Sequence, residues 1–388
     1  MMPIKNYFYF LFFLFFISCH NKERKYNTLY LSTSNGDMYS INLKKEKLNW
    51  KISGNKDTDE ITYFTILDSI IYRTYCDGRI IELNKISGKI KWEYNDKVSP
   101  NQSYYGYDFS DVDFRLFYQY PIVFGESIIF ANSHGELKSI NIKTKKTNWT
   151  NQYPFPIQSS PIIYKNFLAV SLASNVSIID PHTGKGIMYV DSQNSIYNEV
   201  IKDEKFFYSV DEHGIVLCMD EKDVQWQYTP EKKLYITNNL VIDENNVFYG
   251  RDEIVCLDKL SGTKKWQIRV CKIEFPKSDE EVLGNKHFLI PNEEYLEAIE
   301  TNFDDLVANT EHYILLINKN NGKLTKRKYF SNRKIVGKVN YVNSFFYYLC
   351  SDNNLYKIDT KLQNESIVLK DVHYKTDRNL DETFMVFE

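Results

Sequence analysis

Cysteine and histidine are scarce in this chain, and neither occurs at a spacing typical of a metal or redox site. The 388 residues include six cysteines without a Cys-x-x-Cys pair and seven histidines without a His-Glu-x-x-His motif. A Gly-x-Ser-x-Gly motif and a phosphate-binding loop are also missing. The net charge of −3 gives no basic field for nucleic acid. We therefore expect no catalytic residue, no metal, no cofactor and no nucleic-acid partner.

Long apolar runs are missing too, except near the N-terminus. Lys5 is the only charge before an apolar run over Tyr7–Ile17, which is too short to span a hydrocarbon core of about 30 Å. This arrangement is typical of an export signal. Phe16-Ile17-Ser18-Cys19 is similar to a bacterial lipobox, which implies a signal peptide over 1–18, a lipid on Cys19 and a lipidated linker over 19–26. A plain signal peptide or an uncleaved anchor is the alternative.

Five cysteines remain after Cys19, an odd number that gives no complete disulfide framework. We interpret most of them as small buried core residues.

What is abundant is a repeat that occurs eight times between residues 27 and 388. Each copy has a strand of alternating apolar residues that ends in Asn or Asp, followed by a turn and a second strand. A tryptophan stands eight residues after the Asn or Asp in four copies and six residues after it in a fifth. The Asx residues are Asn42, Asn84, Asn141, Asp180, Asp220, Asp258, Asn318 and Asp359. The tryptophans are Trp50, Trp92, Trp149, Trp226 and Trp266.

The repeat length predicts the fold. Most copies are separated by 38 to 42 residues, room for about four strands, which is the size of a propeller blade. We therefore predict an all-β, eight-bladed propeller of four-stranded antiparallel blades over residues 27–388. The first copy of the repeat supplies only three strands, so the innermost strand of blade 1 must come from elsewhere in the sequence. We expect residues 382–388 to supply it and close the ring, with a frayed end as the alternative.

The segment from Asn84 to Trp92, with Ser87-Gly88-Lys89 between, resembles the repeat of quinoprotein-type (PQQ-like) propellers. The resemblance implies that the five tryptophans lock neighbouring blades together. It is specific for fold and weak for function. The quinone enzymes of this family carry adjacent cysteines and acidic calcium ligands, and this chain has no Cys-Cys pair.

Two intervals between the Asx residues are longer, at 57 and 60 residues, and predict insertions near 95–120 and 271–310. Strand order places both on the face that carries the glycine hairpins. The first is rich in aromatic rings, which indicates a partner-binding surface or a cap folded onto the propeller. The candidate partner-binding residues are Tyr104, Tyr105, Tyr107, Phe109, Phe114 and Phe117. The second is acidic, and the apolar spacing over Asn292–Leu306 favours a short helix, as a solvated cover or a docking site.

Size, blade number and lipobox together make the chain similar to the lipoprotein propellers of the outer-membrane β-barrel assembly machinery. The resemblance implies a non-enzymatic envelope scaffold, anchored by lipid to the periplasmic face of the outer membrane, since His20 rather than Asp follows Cys19. An envelope protein is the expected partner. A ligand- or glycan-binding propeller is the alternative, and a quinone-dependent dehydrogenase is a weaker one.

Overall fold

The structure is a computed structural model. It describes residues 26–388 except 55–62, 76–77, 96–119, 133–134, 155–156, 158, 193, 197, 235, 237–239, 271–295, 303–304 and 375–383. Its strands pair into eight four-stranded antiparallel sheets, so the prediction of an all-β, eight-bladed propeller is confirmed. No described segment forms a helix that could cross a bilayer.

The first four blades follow the chain order, apart from one strand of blade 1. Blade 1 contains β1 (Thr28–Ser32), β2 (Met38–Asn42), β3 (Lys47–Ile52) and β32 (Phe384–Phe387). Blade 2 contains β4 (Phe64–Leu67), β5 (Ile70–Thr74), β6 (Arg79–Asn84) and β7 (Ile90–Asn95). Blade 3 contains β8 (Ile122–Phe124), β9 (Ser127–Ala131), β10 (Glu136–Asn141) and β11 (Thr147–Gln152). Blade 4 contains β12 (Ile162–Tyr164), β13 (Phe167–Leu172), β14 (Asn175–Ile179) and β15 (Gly186–Asp191).

The last four blades repeat the same order from the innermost strand outward. Blade 5 contains β16 (Ile201–Lys202), β17 (Phe207–Val210), β18 (Val216–Met219) and β19 (Val224–Tyr228). Blade 6 contains β20 (Val241–Ile242), β21 (Asn246–Gly250), β22 (Glu253–Asp258) and β23 (Lys264–Arg269). Blade 7 contains β24 (Ala298–Thr301), β25 (Asp305–Asn309), β26 (Tyr313–Asn318) and β27 (Leu324–Tyr329). Blade 8 contains β28 (Ile335–Val342), β29 (Phe345–Cys350), β30 (Leu355–Asp359) and β31 (Glu365–Leu369).

The core is divided among the junctions between blades. Eight clusters of buried apolar side chains are present, and each joins residues of two consecutive blades. The cluster that includes Leu29 and Ile41 of blade 1 also includes Leu349 and Leu355 of blade 8. Because every blade buries both of its faces against neighbours, the ring as a whole forms the folding unit.

The C-terminal strand closes the ring, as the sequence predicts. β32 pairs antiparallel with β1, with Leu29 opposite Phe387 and Ser32 opposite Phe384. The backbone N–H groups of Asn27 and Thr28 donate to the carbonyl of Glu388 at 2.7 and 2.8 Å. The innermost strand of blade 1 therefore comes from the far end of the chain, and its pairing covers an edge that would otherwise be open.

The propeller has two distinct faces. One face, here called the Asx face, carries the turns that follow the eight repeated Asn or Asp residues. In each of these turns the Asx side chain accepts a hydrogen bond from a backbone N–H two or three residues later. The opposite face, here called the insertion face, carries the glycine hairpins and the connections between blades. Arg79, just after the hairpin at Gly78, pairs with Asn95 at the start of the first long connection.

The prediction of a helix over Asn292–Leu306 is wrong. The described part of this segment forms β24 and the start of β25, and Leu306 pairs with Thr301. Ile299 and Leu306 are buried, with 3% and 0% of their surfaces exposed, against Ile254 and Leu315. Short apolar runs fit helical and strand spacing alike, and pairing with the neighbouring strand decides the outcome here. The second insertion is therefore shorter than expected, since regular blade structure begins at Ala298.

Candidate functional site

The five tryptophans all lie at junctions between blades. Each tryptophan is on the outermost strand of its blade and faces the Asx turn of the next blade. Four of the five indole N–H groups donate to the backbone carbonyl of the residue that follows the Asx residue. The Nε1 to oxygen distances are 3.0 Å for Trp50 and Lys85, 2.9 Å for Trp149 and Pro181, 3.1 Å for Trp226 and Lys259, and 2.8 Å for Trp266 and Lys319. The early position of Trp226 follows from a shorter turn, because Trp226 pairs with Cys218 as Trp266 pairs with Cys256.

A glycine lies under the indole ring at each of these four junctions. A Cβ atom at these glycines would be 2.5 to 2.8 Å from the tryptophan ring, closer than real side chains approach. The same glycines have φ values between 66° and 73°, in the left-handed region that favours glycine. They are Gly88, Gly184, Gly262 and Gly322. The glycine of the Asx turn therefore supplies a flat surface for the ring of the preceding blade.

The junction between blades 2 and 3 departs from this arrangement. Lys145 occupies the position of the glycine, with a φ of 61°. Its ammonium group lies 3.5 Å from the centroid of the Trp92 ring, a cation–π contact. The indole Nε1 of Trp92 is buried and has no hydrogen-bond partner among the described residues. A buried donor without a partner costs about 1–3 kcal/mol. This junction therefore lacks the indole hydrogen bond that the four junctions with glycine have.

A lysine replaces the tryptophan between blades 7 and 8. Lys326 pairs with Leu316 at the position where other blades have tryptophan, and its Nζ donates to the carbonyl of Thr360 at 3.1 Å. Thr360 follows Asp359, so the acceptor is equivalent to the carbonyls used by the tryptophans. Five junctions therefore use the equivalent acceptor in the Asx turn, and two chemically different donors reach it.

Aromatic rings from different blades meet at the mouth of the central channel on the insertion face. Tyr120, which precedes β8 of blade 3, stacks on Phe384 of blade 1 with centroids 5.9 Å apart. Phe384 also makes an edge contact with Phe64 of blade 2 at 5.0 Å. On its other side, the Tyr120 hydroxyl donates at 2.9 Å to Glu199, which lies in the connection just before β16 of blade 5. The backbone N–H of Tyr120 donates to the Ser160 hydroxyl at 3.2 Å.

Tyr120 thus bridges opposite sides of the ring, since blades 1 and 5 are diametrically placed among eight. Burial and the nearby Glu199 carboxylate raise the pKa of the Tyr120 phenol, so it stays protonated and keeps donating at neutral pH. Tyr120 is the residue at which the first insertion rejoins the blades. At this position the aromatic ring folds onto the propeller as a cap.

Other residues named from the sequence lie outside the described part of the chain. Cys19 and the six candidate partner-binding residues Tyr104, Tyr105, Tyr107, Phe109, Phe114 and Phe117 are among them. Three cysteines are described, and all are free and buried within strands or at their ends. Burial raises the pKa of each of these thiols to about 12. They are Cys218, Cys256 and Cys350.

Two features of the structure were not predicted from the sequence: the bridge made by Tyr120 and the exception at Trp92.

Within the described ranges, no three His, Cys, Asp or Glu side chains lie together in a way that could hold a metal ion.

Comparison with known proteins relates the chain to one family and to several propeller structures. A family model described as outer membrane protein assembly factor BamB matches residues 25–228. BamB from Moraxella catarrhalis has a TM-score of 0.64 at 13% identity, covering 87% of this chain and 93% of that chain. Quinohemoprotein alcohol dehydrogenase from Comamonas testosteroni has a TM-score of 0.59 at 12% identity, and the match covers 83% of this chain and 68% of that chain. At such low identities these two likenesses show the fold alone.

An uncharacterized protein of Rickettsia conorii is 24% identical over 169 residues. The match spans 41% of this chain and 38% of that relative's own length.

Proposed function

Because this chain belongs to the family described as outer membrane protein assembly factor BamB, matched over residues 25–228, we propose that it is a non-enzymatic scaffold of the cell envelope. In this proposal it binds protein partners that assemble outer-membrane proteins, and a lipid on Cys19 holds it at the periplasmic face of the outer membrane. The family match is the single observation that carries the proposal.

The geometry of the insertion face supports this function. Both long connections between blades start and end on that face, at Asn95 and Tyr120 and at Val270 and Leu296. Between these connections, the rings of Tyr120 and Phe384 stack on each other at the channel mouth. Surfaces with aromatic residues at their centre are typical of protein interfaces.

The fold is shared with quinone-dependent dehydrogenases, so an enzyme is the second candidate. The residues present do not fit a quinone cofactor with its calcium ion. The sequence has no adjacent cysteine pair, and the described residues include no group of three His, Cys, Asp or Glu side chains that could hold a metal ion. Purified protein supplied with pyrroloquinoline quinone and calcium is expected to reduce no dye with alcohol substrates, and dye reduction would favour the enzyme.

The scaffold is tested by affinity purification of the tagged chain from detergent-solubilised envelopes. We expect a large outer-membrane barrel protein to copurify in a stoichiometric amount. A variant with serine at the six aromatic positions of the first insertion should lose this partner while keeping its unfolding midpoint. Those positions are Tyr104, Tyr105, Tyr107, Phe109, Phe114 and Phe117.

A matched control replaces four exposed lysines on the Asx face and should retain the partner. Purification of the unaltered chain without any barrel protein would contradict the proposal.

A further inference from the structure

The Asx face is unevenly charged, and its lysines are concentrated on three adjacent blades. The five residues after Asn42, Asn84 and Asn141 include eight lysines and one glutamate. The corresponding turns of the other five blades include six lysines and two carboxylates. We call the three turns of blades 1–3, residues 43–47, 85–89 and 142–146, the lysine sector. Its lysines are Lys44, Lys45, Lys47, Lys85, Lys89, Lys143, Lys145 and Lys146.

The three turns are neighbours in space. Trp50 of blade 1 donates to the carbonyl of Lys85 in blade 2, and Lys145 of blade 3 lies over Trp92 of blade 2. The first contact joins blade 1 to the turn of blade 2, and the second joins the turn of blade 3 to blade 2, so the lysine sector forms one surface.

Few of these lysines are neutralised locally. Lys85 pairs with Glu388 at 2.8 Å and Lys143 pairs with Glu126 at 2.5 Å. Five others are exposed and form no ion pair within the part of the chain that the structure describes: Lys44, Lys45, Lys47, Lys89 and Lys146. Counting Glu46, Asp68, Glu126 and Glu388 on the same side, the sector keeps an excess of four positive charges in a chain whose net charge is −3.

Apolar side chains protrude beside these lysines. Ile86, at the tip of the blade 2 turn, is 79% exposed, and Ile90 just after it is 58% exposed. Leu48 and Leu67, at strand ends on the same face of blades 1 and 2, are 42% and 40% exposed. Exposed apolar tips surrounded by lysines are typical of surfaces that rest on an anionic lipid bilayer.

The chain enters the propeller on this same face. The backbone N–H of Tyr26 donates to the Asn343 side chain at 3.0 Å, and the Asn343 amide donates back to the Tyr26 carbonyl at 2.6 Å. Asn343 lies in the turn between β28 and β29, next to blade 1. Tyr26 is seven positions after Cys19, so a fully extended linker between them reaches at most about 25 Å. A lipid on Cys19 would therefore hold the Asx face close to the membrane.

We propose that the lysine sector of the Asx face binds the anionic headgroups of a phospholipid bilayer, with the insertion face turned away from the membrane. The orientation rests on the lipid anchor proposed above, whereas the lysine sector itself does not depend on it. In this arrangement the face that carries the two insertions is presented to partners on the periplasmic side.

The test uses the mature chain with Cys19→Ser, so that no acyl chain contributes to binding. The protein is sedimented with vesicles of phosphatidylcholine alone or mixed with phosphatidylglycerol. We expect binding only to the anionic vesicles, weakened by salt because the Debye length falls from about 30 Å at 0.01 M to about 8 Å at 0.15 M. Equal binding to both vesicles, or none to either, would overturn the proposal.

A pair of matched variants locates the binding surface. Each lysine near an anionic surface contributes roughly a factor of five in partitioning. Lys44→Glu, Lys45→Glu, Lys89→Glu and Lys146→Glu together should reduce the partition coefficient at least about a hundredfold. The control makes the same charge change on the same face of other blades, at Lys185, Lys222, Lys323 and Lys361, all exposed.

The control should bind far better than the sector variant, and equal losses in both would overturn the assignment. Neither vesicle result depends on the partner purification described above, so the two proposals can fail separately.

Discussion

The glycine beneath four of the tryptophans should be required for joining the blades, and Gly262→Ala tests this at the junction of blades 5 and 6. The new Cβ would lie 2.5 Å from Cε3 of Trp226, so the indole ring must move. Displacement breaks the 3.1 Å hydrogen bond to the Lys259 carbonyl and leaves a buried donor, at a cost of about 1–3 kcal/mol. The left-handed backbone at φ 70° adds about 1–2 kcal/mol for alanine.

Gly125→Ala provides the matched control, because it isolates the cost of the backbone. Gly125 has a φ of 58°, and a Cβ there would have no atom within 4 Å. We expect a loss of about 1–2 kcal/mol in the control and about 2–5 kcal/mol for Gly262→Ala. Both free energies of unfolding are measured by urea titration.

A second pair of variants shows whether the ring contact causes the difference. In a Trp226→Leu background the indole is gone, so Gly262→Ala should cost no more than the control substitution. If Gly262→Ala and Gly125→Ala destabilise the unaltered protein equally, the glycine is selected for its backbone alone and our account of the junction is wrong.

Three further outcomes follow from the same structure. Lys145→Gly should raise the free energy of unfolding by about 1 kcal/mol in urea titration, because it removes a left-handed side chain and lets Trp92 approach its acceptor. Phe384→Ala should cost about 2–3 kcal/mol through loss of the packing that closes the ring, whereas Ile367→Ala, on an outer strand, should cost under about 1 kcal/mol. Peptide mapping after thiol alkylation at pH 8 should find the three described cysteines unmodified until the protein is unfolded, since burial raises their pKa values to about 12.

The architecture was predictable because each blade repeats local chemistry. The Asx side chain accepts a hydrogen bond from a backbone N–H of the turn that follows it, and glycines with positive φ occur in the turns. These residues recur at regular spacing in the sequence, so the copies can be aligned without a structure. The closing strand was predictable for a related reason. Blade 1 has three strands in sequence order, and only the C-terminal segment remained to pair with β1.

The channel mouth was not predictable, because it depends on contacts between blades that are far apart in the chain. Tyr120 meets Phe384 of blade 1 and Glu199 just before blade 5, and no local pattern indicates which rings converge at the centre of a closed ring. The exception at Trp92 has a visible signal, since Lys145 stands where four other copies have glycine. The loss of the indole hydrogen bond, however, needs the geometry of the turn.

The junctions explain how one repeat can serve two different faces. Four of the five tryptophans use only a backbone carbonyl and a glycine from the next blade, so the remaining turn residues are free to vary. Blades 1–3 have lysines at these free positions, while two of the connections on the opposite face are longer than the others. Neither change disturbs the eight buried clusters that hold the ring. A propeller joined in this way can therefore acquire a membrane-facing and a partner-facing surface independently, and substitutions on one face should leave binding at the other intact.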